Sequence, residues 1–184
     1  MLDPERRRVL LRVAREAVAA AAKDMPYAPE SDDPELLRPA AVFVTLRKGG
    51  ALRGCIGTIA AKEPLIRAVA SMARAAARED PRFPRVHMAE LPEIMIEISV
   101  LSPLRRVSGP EEIKVGRDGL VVKQGAQQGL LLPQVAAEWG WDREEFLDET
   151  CLKAGLPPGS WRRGAEIYAF EAEVFGEEEM EEGR

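Results

Sequence analysis

The residues best suited to chemistry stand together at Leu52-Arg53-Gly54-Cys55-Ile56-Gly57-Thr58. In a regular strand, alternation places Arg53, Cys55 and Gly57 on one face and Leu52, Gly54 and Ile56 on the other. Arg53 and Cys55 are then same-face neighbours about 7 Å apart, a distance of two strand rises. A guanidinium that near favours the thiolate, and glycines on both sides let a ligand or another backbone approach closely. The pattern describes a small platform that accepts an anion or presents a sulfur nucleophile. Cys55 is the candidate catalytic thiolate, with Arg53, Gly54 and Gly57 as candidate ligand contacts. A packing reading stands beside it: free cysteine is among the most buried residue types, and glycine in a strand often marks a bulge or a helix contact.

Other reactive side chains are few. A cysteine nucleophile normally needs a base, and His87 is the sole imidazole, so a Cys55 and His87 dyad requires tertiary folding to bring the two together. An ordinary surface or packing histidine is the alternative. Cys151 reads as a core filler on an amphipathic helix. Glu97 and Ser99 share one strand face opposite a run of isoleucines, a face that is either covered or open to water. Two cysteines and one histidine are too few to assemble a soft or imidazole metal site. No Walker loop, dinucleotide fingerprint or His-Glu-x-x-His names a cofactor.

The elements that must position these residues follow from periodicity. Asp3 and Pro4 open a helix whose apolar residues from Val9 to Ala21 recur at three-and-four spacing. Prolines 26, 29, 34 and 39 break regular structure and predict a wrapped loop of about 16 residues, long enough to be functional. Ala41 to Leu46 and Ala51 to Ile59 read as a hairpin about Lys48-Gly49-Gly50. Pro64 opens an alanine-rich helix ending near Glu79, and Asp80-Pro81-Arg82-Phe83-Pro84 makes a stiff loop. Ile94, Ile96, Ile98 and Val100 alternate on a strand. A shorter hairpin surrounds Gly125, Pro133 opens a brief helix, and Asp142 with Glu145 forms a capping box for a helix to about Ala154. A last strand carries Tyr168, Phe170, Ala172 and Val174. Tight turns between neighbouring runs predict an α+β domain with a mainly antiparallel sheet flanked by helices.

With 184 residues, 46% apolar and 31% charged, the chain has the make-up of a single folded domain, which disfavours disorder and collagen-like readings. The domain is expected over residues 1–176, followed by a solvated acidic tail from Glu177 to Arg184. Arg74, Arg78, Arg82 and Arg85 could form a nucleic-acid surface, but the net charge of -5 and their helical spacing favour a solvated face. No apolar run reaches membrane-spanning length, no signal peptide is read, and the absence of a cysteine framework points to the cytoplasm.

Leu52 to Thr58, Asp80 to Pro84, Glu97 to Ser102, Gly119 to Val122, Gly129 to Ala136, Trp139-Gly140-Trp141 and Cys151 to Leu156, in that order, resemble the AMMECR family. This is the family of the protein from the Alport syndrome, midface hypoplasia and elliptocytosis chromosomal region and its microbial relatives. The resemblance runs from about residue 5 to residue 176 and implies a two-lobed α+β fold with Arg53 to Gly57 at a cleft. No settled activity comes with it. Microbial members look like protein A of the AmmeMemoRadiSam system, which implies Memo-type and radical SAM partners.

Three functions compete. In the first, a partnered ligand-binding or enzymatic accessory protein, Arg53 receives a small anionic ligand, Cys55 contacts it, and Arg82 and Glu97 line the site if the fold brings them near. The second is a protein-interaction adaptor without chemistry of its own, and the third is an RNA-binding protein.

Overall fold

The computed structural model describes residues 1–178. The chain divides into two compact units, Met1–Leu101 with the chain end from Glu173, and Ser102–Ala172. The fold is α+β and its strand pairs are antiparallel. Among the described residues, no helix is long and apolar enough to cross a membrane.

In the first unit, Asp3 accepts the Arg6 N–H at 2.9 Å and starts α1 (Pro4–Ala22), whose Leu10, Ala14 and Val18 are completely buried. The proline-rich loop is not wholly irregular. Asp33 caps a single turn, α2 (Pro34–Leu37), because a proline at the first helical position lacks only an N–H that the turn leaves unpaired anyway. β1 (Ala41–Lys48) and β2 (Ala51–Thr58) form the expected hairpin. Gly49 and Gly50 both take positive φ, the demand of a two-residue turn that matches strand twist. Pro64 precedes α3 (Leu65–Arg78), and β3 (Ile94–Leu101) pairs with the other side of β1, which leaves β2 at an edge.

Helices α1 and α3 cover one face of these strands, burying Leu46, Ile66, Val69, Ile96 and Ile98 between them. Full burial of such side chains contributes about 1.5–3 kcal/mol each relative to exposure. The alanines of α3 set how closely it approaches. A Cβ on Gly54 would stand 2.3 Å from the carbonyl oxygen of Ala76, so helix and strand backbones touch where neither has a bulky side chain.

In the second unit, β4 (Arg105–Val107) and β5 (Asp118–Gln124) flank β7 (Glu166–Gly176), and β6 (Gln127–Leu131) pairs with β5. The sequence reading omits β4, which is too short to show alternation. α4 (Pro133–Trp139) leads to α5 (Arg143–Lys153), started by the expected Asp142 and Glu145 capping box. Phe146, Leu147 and Cys151 are completely buried, so Cys151 is a core residue.

The acidic tail needs correction at its start. Glu177 is half-buried in the first unit: its carboxylate accepts the Ile96 N–H at 2.8 Å and pairs with Arg15. Glu173 similarly accepts the Leu2 N–H and pairs with Arg7 at 2.7 Å. Acidic side chains here satisfy donors on β3 and α1 that composition cannot reveal. The rest of the predicted tail, residues 179–184, lies outside the described residues.

Candidate functional site

Because β2 is an edge strand, its outward main-chain groups need partners from elsewhere. At Cys55 they find side chains. The Cys55 N–H donates to Oδ2 of Asp80 at 2.8 Å, and the Cys55 carbonyl accepts from Nη2 of Arg82 at 3.4 Å. Asp80 also accepts from the Arg82 N–H at 3.1 Å, from Nε at 2.9 Å and from Nη2 at 2.7 Å. The stiff loop after α3 thus offers β2 an acceptor and a donor two residues apart, as a neighbouring strand would. Asp80 is only 4% exposed. The Arg82 hydrogen bonds outweigh its burial and, with the Cys55 N–H, hold its carboxyl well below the usual carboxylate range. Arg82 is raised in turn, first by its hydrogen bonds to Asp80.

Arg53 does not play the part that strict alternation gives it. The ladder between β1 and β2 shifts at Leu46 and Arg47, pairing Gly54 with Leu46 and Leu52 with Arg47, so Arg53 is the extra residue of a bulge. Its Nε and Nη2 each donate to Glu90 at 3.0 Å, its Nη1 to the Pro84 carbonyl at 2.9 Å and its Nη2 to the Arg85 carbonyl at 3.3 Å. Arg53 therefore clamps the 84–90 segment to the hairpin, and Arg82 is the arginine whose guanidinium meets the Cys55 main chain. Arg53 first, then the His87 N–H, with Lys48 adding least, hold the Glu90 carboxyl down to about 2 against its burial. His87 itself is exposed, and among the described residues no hydrogen bond joins its ring to Cys55.

The two motif glycines are occupied by packing. Gly54 meets the α3 backbone, and a Cβ on Gly57 would stand 2.1 Å from the Phe43 ring. The space that sequence reasoning reserved for a ligand at these positions is taken by protein.

A different feature brings polar groups together. On the sheet face opposite α1 and α3, the Cα register aligns Cys55 with Thr45 and Thr45 with Glu97. Oγ1 of Thr45 donates to Sγ of Cys55 at 3.3 Å. The next row holds Gly57, Phe43 and Ser99. Thr45 is 7% and Ser99 1% exposed, whereas Phe43, Cys55, Gly57 and Glu97 are half-buried, so the face is partly covered and stays accessible at Cys55 and Glu97. Sequence reasoning places Glu97 and Ser99 on a common face and misses Thr45, which is invisible until the hairpin and β3 are in register. Asp80 carries a weak sequence signal, a carboxylate two residues before an arginine in a stiff loop. Among the described residues, no group of three or more His, Cys, Asp or Glu side chains is placed to hold a metal.

The chain resembles known proteins over nearly all its length. The AMMECR1 family model matches residues 11–175. Protein PF1979 of Pyrococcus furiosus is 51% identical over 161 residues, covering 82% of this chain and 77% of the relative. A protein of Methanothermobacter thermautotrophicus is 45% identical over 186 residues, covering 96% and 97%. The crystal structure of Uncharacterized Protein PH0010 from Pyrococcus horikoshii superposes with a TM-score of 0.87 at 46% identity, covering 92% of this chain and 90% of that one. On the strength of these matches and the shared fold, the chain belongs to the AMMECR1 family.

Proposed function

We propose that this chain is a partnered ligand-binding or enzymatic accessory protein whose contact surface is the Cys55 face of the first unit. The observation that carries the reading is the cross-strand row of thiol, hydroxyl and carboxylate at Cys55, Thr45 and Glu97. A sheet face built only for packing would carry apolar side chains there, as the opposite face does. The ligand is small and carries a negative group, received by Arg82, while Cys55 and Glu97 meet its remainder. The partners implied by family resemblance are the Memo-type and radical SAM proteins. The nucleic-acid reading is less favoured, because Arg74 donates to the Met25 carbonyl and Arg78 pairs with Asp24.

Alkylation with iodoacetamide at neutral pH, read by mass spectrometry, tests the site. Cys55 is expected to label faster than Cys151, which is completely buried and whose thiol burial pushes up. Arg82→Ala should slow labelling of Cys55. Equal, slow labelling of both cysteines would overturn the site. Association with a Memo-type or radical SAM protein that survives Cys55→Ser would favour an adaptor without chemistry.

A further inference from the structure

Away from Cys55, the second unit carries a surface hollow of about 620 Å³. Pro110, Val115 and Trp141 give it apolar lining, and Glu111, Asp142 and Glu144 set three carboxylates against one guanidinium, Arg143. Trp139 stacks on Trp141 with ring centroids 6.0 Å apart and planes 15° from parallel, yet it remains 71% exposed. An indole left that open forfeits most of the burial energy that a large aromatic offers, and tryptophan is enriched at contact surfaces.

The three carboxylates differ in what they already hold. Asp142 accepts the Glu144 and Glu145 N–H groups as the cap of α5. Glu144 is bonded to Arg162. Among the described residues the Glu111 carboxylate has no hydrogen bond or ion pair. Beside the hollow, the unit already shows how it binds a guanidinium: Arg162 lies over the Trp161 ring at 4.1 Å while its Nη2 reaches Glu144. The hollow is lined by a second indole and a second acid, Trp141 and Glu111, and among the described residues no cation lies over the Trp141 ring.

We propose that this hollow binds an arginine side chain presented on an extended segment of a partner protein. The guanidinium stacks on Trp141 and bonds to Glu111, and an apolar side chain next to the arginine packs on Pro110 and Val115. Charge complementarity sets the sign of the ligand, since carboxylates outnumber the cation in the lining. Arg143 is the opposing charge and limits affinity. The site shares no residue with the Cys55 face, so either reading can fail without the other.

The full chain is titrated with acetyl-Leu-Arg-Leu-amide and with acetyl-Leu-Gln-Leu-amide, following the three indole N–H resonances by NMR. The arginine peptide should shift Trp139 and Trp141 saturably and more than Trp161. Glu111→Gln, an exposed change that leaves the core intact, should weaken binding about fivefold or more, and Trp141→Phe should weaken it less. Arg143→Gln should strengthen it. Equal binding of the two peptides, no saturation at millimolar peptide, or unchanged affinity in Glu111→Gln would each overturn the proposal.

Discussion

Asp80 anchors the main chain of the motif at Cys55. Its carboxylate collects a strand N–H, its own loop's N–H and the Arg82 guanidinium while almost fully buried. Asparagine keeps the shape but offers one acceptor fewer and no charge. Asp80→Asn is therefore expected to cost about 1–3 kcal/mol in urea denaturation, the range for hydrogen bonds left unmade at a buried group. It should also change the alkylation rate of Cys55, because the main chain of the cysteine loses its anchor; a rate identical to wild type would show that the loop does not position the thiol. At this scale the sequence puts Arg53 beside Cys55 on one strand face, whereas in the fold the Arg53 guanidinium is bonded to Glu90. Strict alternation assumes one residue per rung, and the bulge at Arg53 breaks that count.

Between elements, the closest approach is that of α3 to β2. Gly54→Ala places a methyl 2.3 Å from a helix carbonyl, an obstacle that can move only if the whole helix shifts. Gly57→Ala meets the Phe43 ring, a side chain that can rotate. Thermal or urea unfolding should therefore show Gly54→Ala as the more damaging, by about 1–3 kcal/mol of overpacking, with Gly57→Ala milder. Equal losses would show that helix and sheet separate easily. These glycines also explain why an apparently weak strand is stable. Each missing side chain is replaced by a backbone or ring contact, so the sequence correctly marks the strand as needing compensation without saying whether a ligand or the protein supplies it.

Over the whole molecule, acid should weaken both units. Asp80 and Glu90 in the first unit and Asp118 in the second have carboxyl groups lowered by folding. For Asp118 burial acts first and upward, and Arg117 with the Lys114 N–H overcomes it. A lowered group stabilises the fold above its unfolded value, about 4 for Asp and Glu, and loses that contribution as pH falls through its folded value. Urea midpoints should accordingly be flat near neutrality and fall from about pH 5 toward about pH 2, where Glu90 takes up its proton. Glu90→Gln should reduce that slope; an unchanged slope would remove Glu90 from the account. What the sequence determined by itself was the family, the order and type of the long elements, and the segment to inspect. These depend on side-chain periodicity, capping and turn residues within a few positions of one another. Tertiary structure decided which groups meet: Thr45 beside Cys55, Asp80 on the edge of β2, Glu90 under Arg53 and Glu177 on β3. Those pairings join residues from 10 to 81 positions apart, and only strand register and helix packing, not local pattern, bring them together.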